Sequence, residues 1–299
     1  MWFRNLQIYR LRDCRITAAQ LEEALARQAL QSCASMEMLS RGWVAPRGAG
    51  DALAFALQGQ MLIALGVEQR LLPASVVNQY AQERAAEIEE QQGFRPGRKQ
   101  LREIKEQVAD ELLPRAFTRR RTTFAWIDPA GGWFAIDAAN PAKADELLET
   151  LRKSVDDLSL SLIRTEVSPV TAMTGWLAAN EAPAGFSIDR DCELRAPGEE
   201  KSTVRYVRHP LESDEIRRHI EAGKQVTRLA LTWNDRISFV LQENLQVKRL
   251  AFLDLLKDEA EQQAETADEM FDADFAIMAG ELARFLPDLI GALGGESQS

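Results

Sequence analysis

Strand-like apolar segments in this chain come in pairs, each closed by a few turn residues, and this pattern restricts the fold more than any other feature. Thr122–Ile127 and Trp133–Asp137 flank Asp128-Pro-Ala-Gly-Gly132. Leu53–Leu57 and Gln60–Leu65 are separated only around Gly59, and Val226–Trp233 and Arg236–Leu241 only by Asn234-Asp235. Links this short can join only antiparallel neighbours; a parallel crossover needs a dozen or more residues. A strictly alternating βαβ chain is therefore excluded. The expected class is α+β, antiparallel β-hairpins and sheets with packed helices and a projecting helical hairpin. The sequence strand, turn, strand, then helix recurs loosely around 53–92 and 123–154, and at 228–256, where Val247–Leu256 follows the hairpin; this is too little to establish duplication.

Helix boundaries follow from capping chemistry. Thr17-Ala-Ala-Gln20 is a capping box opening a helix over Ala18–Leu30. Pro73 suits the first turn of a helix running to Gln92, and Gly93 its end. A second helix, Arg98–Leu113, is closed by Pro114. On it Leu101, Ile104, Val108 and Leu112 form one apolar stripe, bordered by Arg98, Arg102 and Lys105. The four-residue link Phe94-Arg95-Pro96-Gly97 makes the two helices antiparallel, so the basic turn becomes a tip. Asn140-Pro141 caps a helix to Ser154, and Ser213 caps a short helix ended by Gly223. A last helix over 270–292 aligns Phe271, Phe275, Met278, Leu282 and Leu286, a face that fits either the core or a partner. The six tryptophans lie mostly in or beside apolar strands and are expected in the core.

Charge is segregated along the chain. Of a net −10, all resides in 254–299, where twelve Asp/Glu face only Lys257 and Arg284. Residues 95–121 hold nine basic side chains against Glu103, Glu106, Asp110 and Glu111. A pI near 5.0 therefore does not argue against a polyanion partner, because salt screens charges beyond roughly 8 Å and nearby groups set the local field. Candidate phosphate contacts are Arg95, Arg98, Lys99 and Arg102 at the tip, with Arg115, Arg119, Arg120 and Arg121 as a second cluster. A third run, Lys201 to Arg228, includes Arg205, Arg208 and Lys224 but is diluted by acidic neighbours; stacking on Tyr206 within it would favour single strands. Phe117 is either a core anchor or an exposed aromatic at a subunit contact.

Catalysis finds little support. His209 and His219 lie in no nucleophile setting, and no phosphate-binding loop is present. Asp128 and Asp137 could serve a metal-dependent nuclease, but Asp before Pro in a turn and Asp at a strand end commonly make local hydrogen bonds. Cys14, Cys33 and Cys192 suggest reduced thiols and no zinc site. The apolar runs are too short for a membrane span, and the first residues lack the apolar stretch of a secretory signal. The expectation is a cytoplasmic protein with no enzymatic activity, cofactor, metal or membrane partner.

Several segments, in order from end to end, resemble the recombination-associated RdgC family: Met-Trp-Phe-Arg-Asn-Leu at 1–6, Arg41-Gly-Trp-Val-Ala-Pro46, Leu112-Leu-Pro-Arg-Ala-Phe117, His219-Ile-Glu-Ala-Gly-Lys224, Lys248-Arg-Leu, Phe271-Asp-Ala-Asp-Phe275, Gly280-Glu-Leu and Leu293-Gly-Gly-Glu296. The resemblance implies a nucleoid-associated, non-enzymatic protein that binds double- and single-stranded DNA without sequence preference. It implies a homodimer closed into a ring around duplex DNA, restraining the recombinase RecA by occluding its DNA. The family's basic finger falls on Arg95, Arg98 and Lys99, its ring-closing aromatic on Phe117 beside Arg115, and hole-lining cations on Arg208 and Lys224. Pro96-Gly97 makes this finger less densely basic than the family's can be. The implied layout is a central α+β part in two segments, 1–72 and 116–165, a finger at 73–115, and a base region with acidic C-terminal helices at 166–299. A rival is a protein–protein regulator acting on the recombinase through the acidic C-terminal region.

Overall fold

The Asp128–Gly132 turn forms as its residues dictate. In the computed structural model, which describes residues 1–156, 158–199, 201–212, 214–261 and 264–297, the Asp128 side chain accepts the Gly131 N–H at 3.0 Å. Gly132 takes φ +69°, a conformation that disfavours a Cβ. The turn joins strand β5 (Thr118–Asp128) to β6 (Trp133–Ile136). Gln58 (φ +52°) and Gly59 (φ +81°) close β3 (Ala54–Leu57) onto β4 (Gln60–Arg70). Asn234 (φ +46°) and Asp235 (φ +51°) sit between β10 (Gln225–Trp233) and β11 (Ile237–Gln242). All three predicted hairpins are present, and every strand pair with a described register is antiparallel. The fold is α+β.

The remaining strands are β1 (Gln7–Arg12), β2 (Leu39–Val44), β7 (Ser159–Leu162), β8 (Phe186–Arg195), β9 (Thr203–Tyr206) and β12 (Val247–Phe252). They assemble in the orders β2-β4-β5-β6-β1-β7, with β3 on β4, and β12-β11-β10-β8-β9. The helices are α1 (Ala18–Ala26), α2 (Ala74–Gln92), α3 (Arg98–Leu112), α4 (Pro141–Ser154), α5 (Pro169–Ala179), α6 (Asp214–Glu221), α7 (Asp254–Glu261) and α8 (Ala267–Ala292). Ser213, expected to cap α6, lies outside the described residues.

The chain divides into two compact units. The first comprises 1–25, 45–63 and 123–299. Its main core gathers Trp233, Phe239 and Phe252 of the five-stranded sheet with Phe275, Leu282, Phe285 and Leu289 of α8. The apolar face of α8 thus belongs to the core, and the helix opens with a reciprocal Thr266/Glu269 capping box. The second unit comprises 26–44 and 64–122. There α2 and α3 pack through Ala81, Ile104 and Val108, with Val77, Ile88 and Leu112 around them, so Ile104, Val108 and Leu112 of the predicted stripe lie in the contact.

Two sequence expectations need correction. The Thr17/Gln20 capping box forms, but α1 stops at Ala26 instead of Leu30. The chain beyond it leaves the helix to run beside β2, where Leu30 N–H donates to Trp43 O and Trp43 N–H to Gln28 O, both at 2.9 Å. Gly42 permits this approach, since a Cβ there would lie 2.5 Å from Leu30 N. Val247–Phe252, expected to join the helix after the third hairpin, is strand β12; the helix begins only at Asp254. Its alternating burial, with Val247, Leu250 and Phe252 inward, and its free partner edge on β11 outweigh local helix propensity. Four of the six tryptophans are buried, at positions 43, 126, 133 and 233.

Candidate nucleic-acid interface

The tip of the α2–α3 hairpin is built from caps. Gly93 ends α2 in the left-handed region (φ +78°), its N–H bonding Glu89 O, and extended Gly97 starts α3. Arg95, Arg98 and Lys99 are exposed on this turn. The Arg95 side chain is 87% exposed, its only described carboxylate contact being Glu89 at 3.9 Å. Arg98 and Lys99 occupy the first turn of α3, which carries no acidic residue. Cations at a helix N-terminus oppose the macrodipole, so these two are placed against helix stability. The same position attracts an anion, through both the side chains and the exposed backbone N–H groups. Arg102, one turn on, is exposed and pairs with Glu106 at 3.0 Å. The hairpin is braced lower down by a two-pronged Arg84–Glu111 pair at 2.8 and 2.9 Å.

At the hairpin's end a 3-10 turn, Leu113–Arg115, leads into β5. Arg70 pins it: one guanidinium nitrogen donates to Leu113 O at 3.1 Å and Pro114 O at 3.2 Å, the other to Cys33 O and Ala34 O at 3.3 Å. No sequence motif marked Arg70, because its role comes from carbonyls distant in the chain. Arg115, the last residue of this turn, is exposed. Phe117 is 86% exposed, so it is not a core anchor. Leu71 N–H donates to Phe117 O at 2.7 Å and Arg70 N–H to Met38 O at 2.8 Å, so exposed Met38, Leu71 and Phe117 share one end of the strands. Arg120 of the expected second cluster is engaged instead by buried Glu68, at 2.5 Å. Backbone Cys33 N–H and Arg120 together outweigh burial and hold the Glu68 carboxyl below its usual range.

In the first unit, Arg208 is exposed and held with φ +53°, its N–H donating to Asp191 at 2.8 Å. Lys224 is half-buried; its ammonium donates to Ser202 Oγ at 2.8 Å and its backbone N–H to His219 O at 3.0 Å. The Tyr206 ring contacts both His209 (centroids 5.2 Å apart) and His219 (6.3 Å), linking the segments that carry the two cations. Tyr206 is only 8% exposed, however, so it is no platform for base stacking. Burial, with Glu215 beside it, pushes its hydroxyl up to about 12.

Several acids of the C-terminal segment are engaged within the first unit. Asp272 pairs with Arg47 at 3.3 Å, buried Glu281 with Arg236 at 2.8 Å and with Arg284, and Glu296 with Arg10. Asp288 accepts the Trp233 indole N–H at 2.9 Å, and Glu269 closes the α8 cap. The two carboxylates weighed for metal chemistry serve the backbone: Asp128 holds Gly131, and Asp137 accepts the Arg4 and Asn5 N–H groups at 3.1 and 2.9 Å. Among the described residues no three His, Cys, Asp or Glu side chains are grouped as a metal site would require.

Residues 1–296 match the family described as "Putative exonuclease, RdgC". The chain belongs to the RdgC family. It is 60% identical to the recombination-associated protein RdgC of Dechloromonas aromatica over 99% of this chain and 98% of that protein. Identity to the proteins of the same name is 57% in Janthinobacterium sp., over 99% of each chain, and 54% in Bordetella pertussis, over the whole of both. RdgC relatives are thus named for recombination, while the family description names an exonuclease. No helix among the described residues is long and apolar enough to cross a membrane.

Proposed function

We propose that this RdgC-family protein binds double- and single-stranded DNA without sequence preference, as a homodimer closed around the duplex, and limits RecA-dependent recombination by occluding DNA. The observation that carries the reading is the finger tip, where Arg98 and Lys99 sit at a helix N-terminus that would favour acids and contains none. Arg95, Arg98 and Lys99, with Arg102 and Arg115 behind them, are assigned to phosphate oxygens, as are Arg208 and Lys224 in the first unit. A stable contact between copies needs an apolar centre, and exposed Phe117 with Met38 and Leu71 supplies one. A closed ring stays on a duplex with few contacts, because escape requires opening an interface. The working location is the nucleoid in the cytoplasm.

The rival, a direct regulator of the recombinase using the acidic segment as a polyanion mimic, is weakened by the internal pairing of Asp272, Glu281 and Glu296. Exonuclease chemistry is likewise weakened by the backbone roles of Asp128 and Asp137. The electrostatic reading is tested by titrating duplex affinity across salt. The logarithm of the association constant should fall with log salt at roughly 0.9 per phosphate contact. A flat dependence would reject it.

A further inference from the structure

The five-stranded sheet carries a cationic cluster beyond the finger residues, next to Arg208, whose N–H donates to the Asp191 that pairs with Arg249. At its base lies Glu193 of β8, whose side chain is 5% exposed. Arg205 of β9 reaches it at 2.5 Å, Arg195 at 3.3 Å and Arg228 of β10 at 3.7 Å, while Thr227 Oγ1 donates to it at 3.0 Å. Burial alone would raise the Glu193 carboxyl, but Arg205, Thr227, Arg228 and Arg195 outweigh it and hold the group below its usual range. One buried carboxylate thus orients three guanidiniums; Arg195 also pairs with Glu243 at 3.1 Å, while Arg205 and Arg228 remain 59% and 44% exposed above it.

Two irregularities in the sheet build this cluster. Strict alternation would send Thr227 and Arg228 to opposite faces. A register shift between Val226 and Arg228, opposite β8, lets both reach Glu193. A second shift, between Ser238 and Val240 on β11, leaves an extra residue on β12, and Arg249 there adopts φ +49°. Adjacent Lys248 and Arg249 consequently line the same pocket as Arg205, Arg228, Glu193 and Asp191, and Arg249, its side chain 76% exposed, pairs with Asp191 at 3.2 Å. Bulges re-aim side chains, and a left-handed arginine is strain that packing must maintain. Both devices here add a cation to one face. Partial burial, with Arg228 nearby, pushes the Lys248 ammonium down from its ordinary value, and that ammonium also donates to Ala139 O.

We infer that Arg205, Arg228, Lys248 and Arg249 form a phosphate-binding site on the five-stranded sheet, separate from the finger and requiring no second copy of the chain. Lacking an exposed aromatic ring, the site takes the phosphate group and not the base. Two sources share that chemistry, the phosphodiester chain of a nucleic acid and the phosphates of a free nucleotide.

The test uses the full chain and a fluorescent oligothymidylate, with ATP and inorganic phosphate as competitors. Single-strand binding weakens with salt at roughly 0.7 per phosphate contact. Arg228→Gln with Lys248→Gln should therefore lower the log–log slope by roughly 1.4, and Arg249→Gly by roughly 0.7. Glycine accepts the left-handed backbone at 249, so Arg249→Gly should keep or raise the melting temperature and decides the matter even if the double variant misfolds. Lys248→Arg should retain the wild-type slope. In a background with Arg95, Arg98 and Lys99 reversed, residual oligothymidylate binding that the sheet substitutions remove establishes the site independently of the finger. Displacement by ATP assigns the site to free nucleotides, and displacement by unlabelled oligothymidylate alone assigns it to the phosphodiester chain. Wild-type slopes in Arg249→Gly, or no residual binding in the finger-reversed background, would overturn the inference.

Discussion

Replacing Arg95, Arg98 and Lys99 together by glutamate should lower duplex affinity by about 100- to 1000-fold, at roughly tenfold per lost phosphate contact. The salt slope should fall by roughly 2.7 at the same time. The three side chains project from a rigid turn fixed by Gly93 and Gly97 caps, so substitution removes charge without disturbing packing. Arg98→Glu and Lys99→Glu place acids in the first turn of α3, where the macrodipole favours them. The triple variant should therefore melt at or above the wild-type temperature while losing DNA. That opposite movement of stability and binding separates a functional placement from a merely solvated face. Affinity within twofold of wild type, measured by fluorescence anisotropy on duplex, would contradict the finger assignment.

Phe285→Ala should cost about 3–5 kcal/mol of stability. The Phe285 ring is fully buried and meets Phe239 edge-on at 4.9 Å and Trp233 at 5.7 Å. Its removal leaves a cavity between the sheet and α8, a region braced by the buried Glu281–Arg236 pair and by Asp288 on the Trp233 indole. At about 2–4 °C per kcal/mol, the melting midpoint should fall by about 10 °C. Thermal denaturation followed by circular dichroism checks this, and a shift below 3 °C would contradict the placement of α8. The same packing means that deleting 254–299 cannot test the acidic-segment rival, since the deletion removes core. Neutralising exposed acids is the usable alternative: Asp258→Asn and Glu265→Gln change charge without taking a buried apolar group.

The legible parts of the fold were those written in local chemistry. Asp128-Pro-Ala-Gly-Gly132 and Asn234-Asp235 declare tight turns because few residues tolerate those backbone angles. Pro73, Gly93 and Gly97 frame the finger, and the Ile104/Val108 stripe shows how its helices pack. What escaped depends on distant partners. Strand β8, Phe-Ser-Ile-Asp-Arg-Asp-Cys-Glu-Leu-Arg, looks polar because its charged members pair across the sheet, Glu193 with Arg205 and Asp191 with Arg249. Strand β12 resembles a helix start until β11 supplies its edge. The bulges at Thr227 and Arg249 leave no trace in residue type, so the convergence of Arg228, Lys248 and Arg249 could not be read from spacing. In the sequence Arg205 is one member of a diluted basic run. The charge map has the converse difficulty: the net −10 of 254–299 does not show that several of its carboxylates are paired internally.

In the proposed function, cations hold this protein on DNA while paired copies close around the duplex. The most direct measurement loads the protein on a relaxed circular duplex, raises the salt until simple phosphate contacts are screened, and compares retention before and after a single restriction cut. Closure around the duplex predicts that the uncut circle keeps its protein and that linearisation releases it through the free ends. Equal retention on circle and linear DNA, or complete loss from both at the same salt, would contradict it.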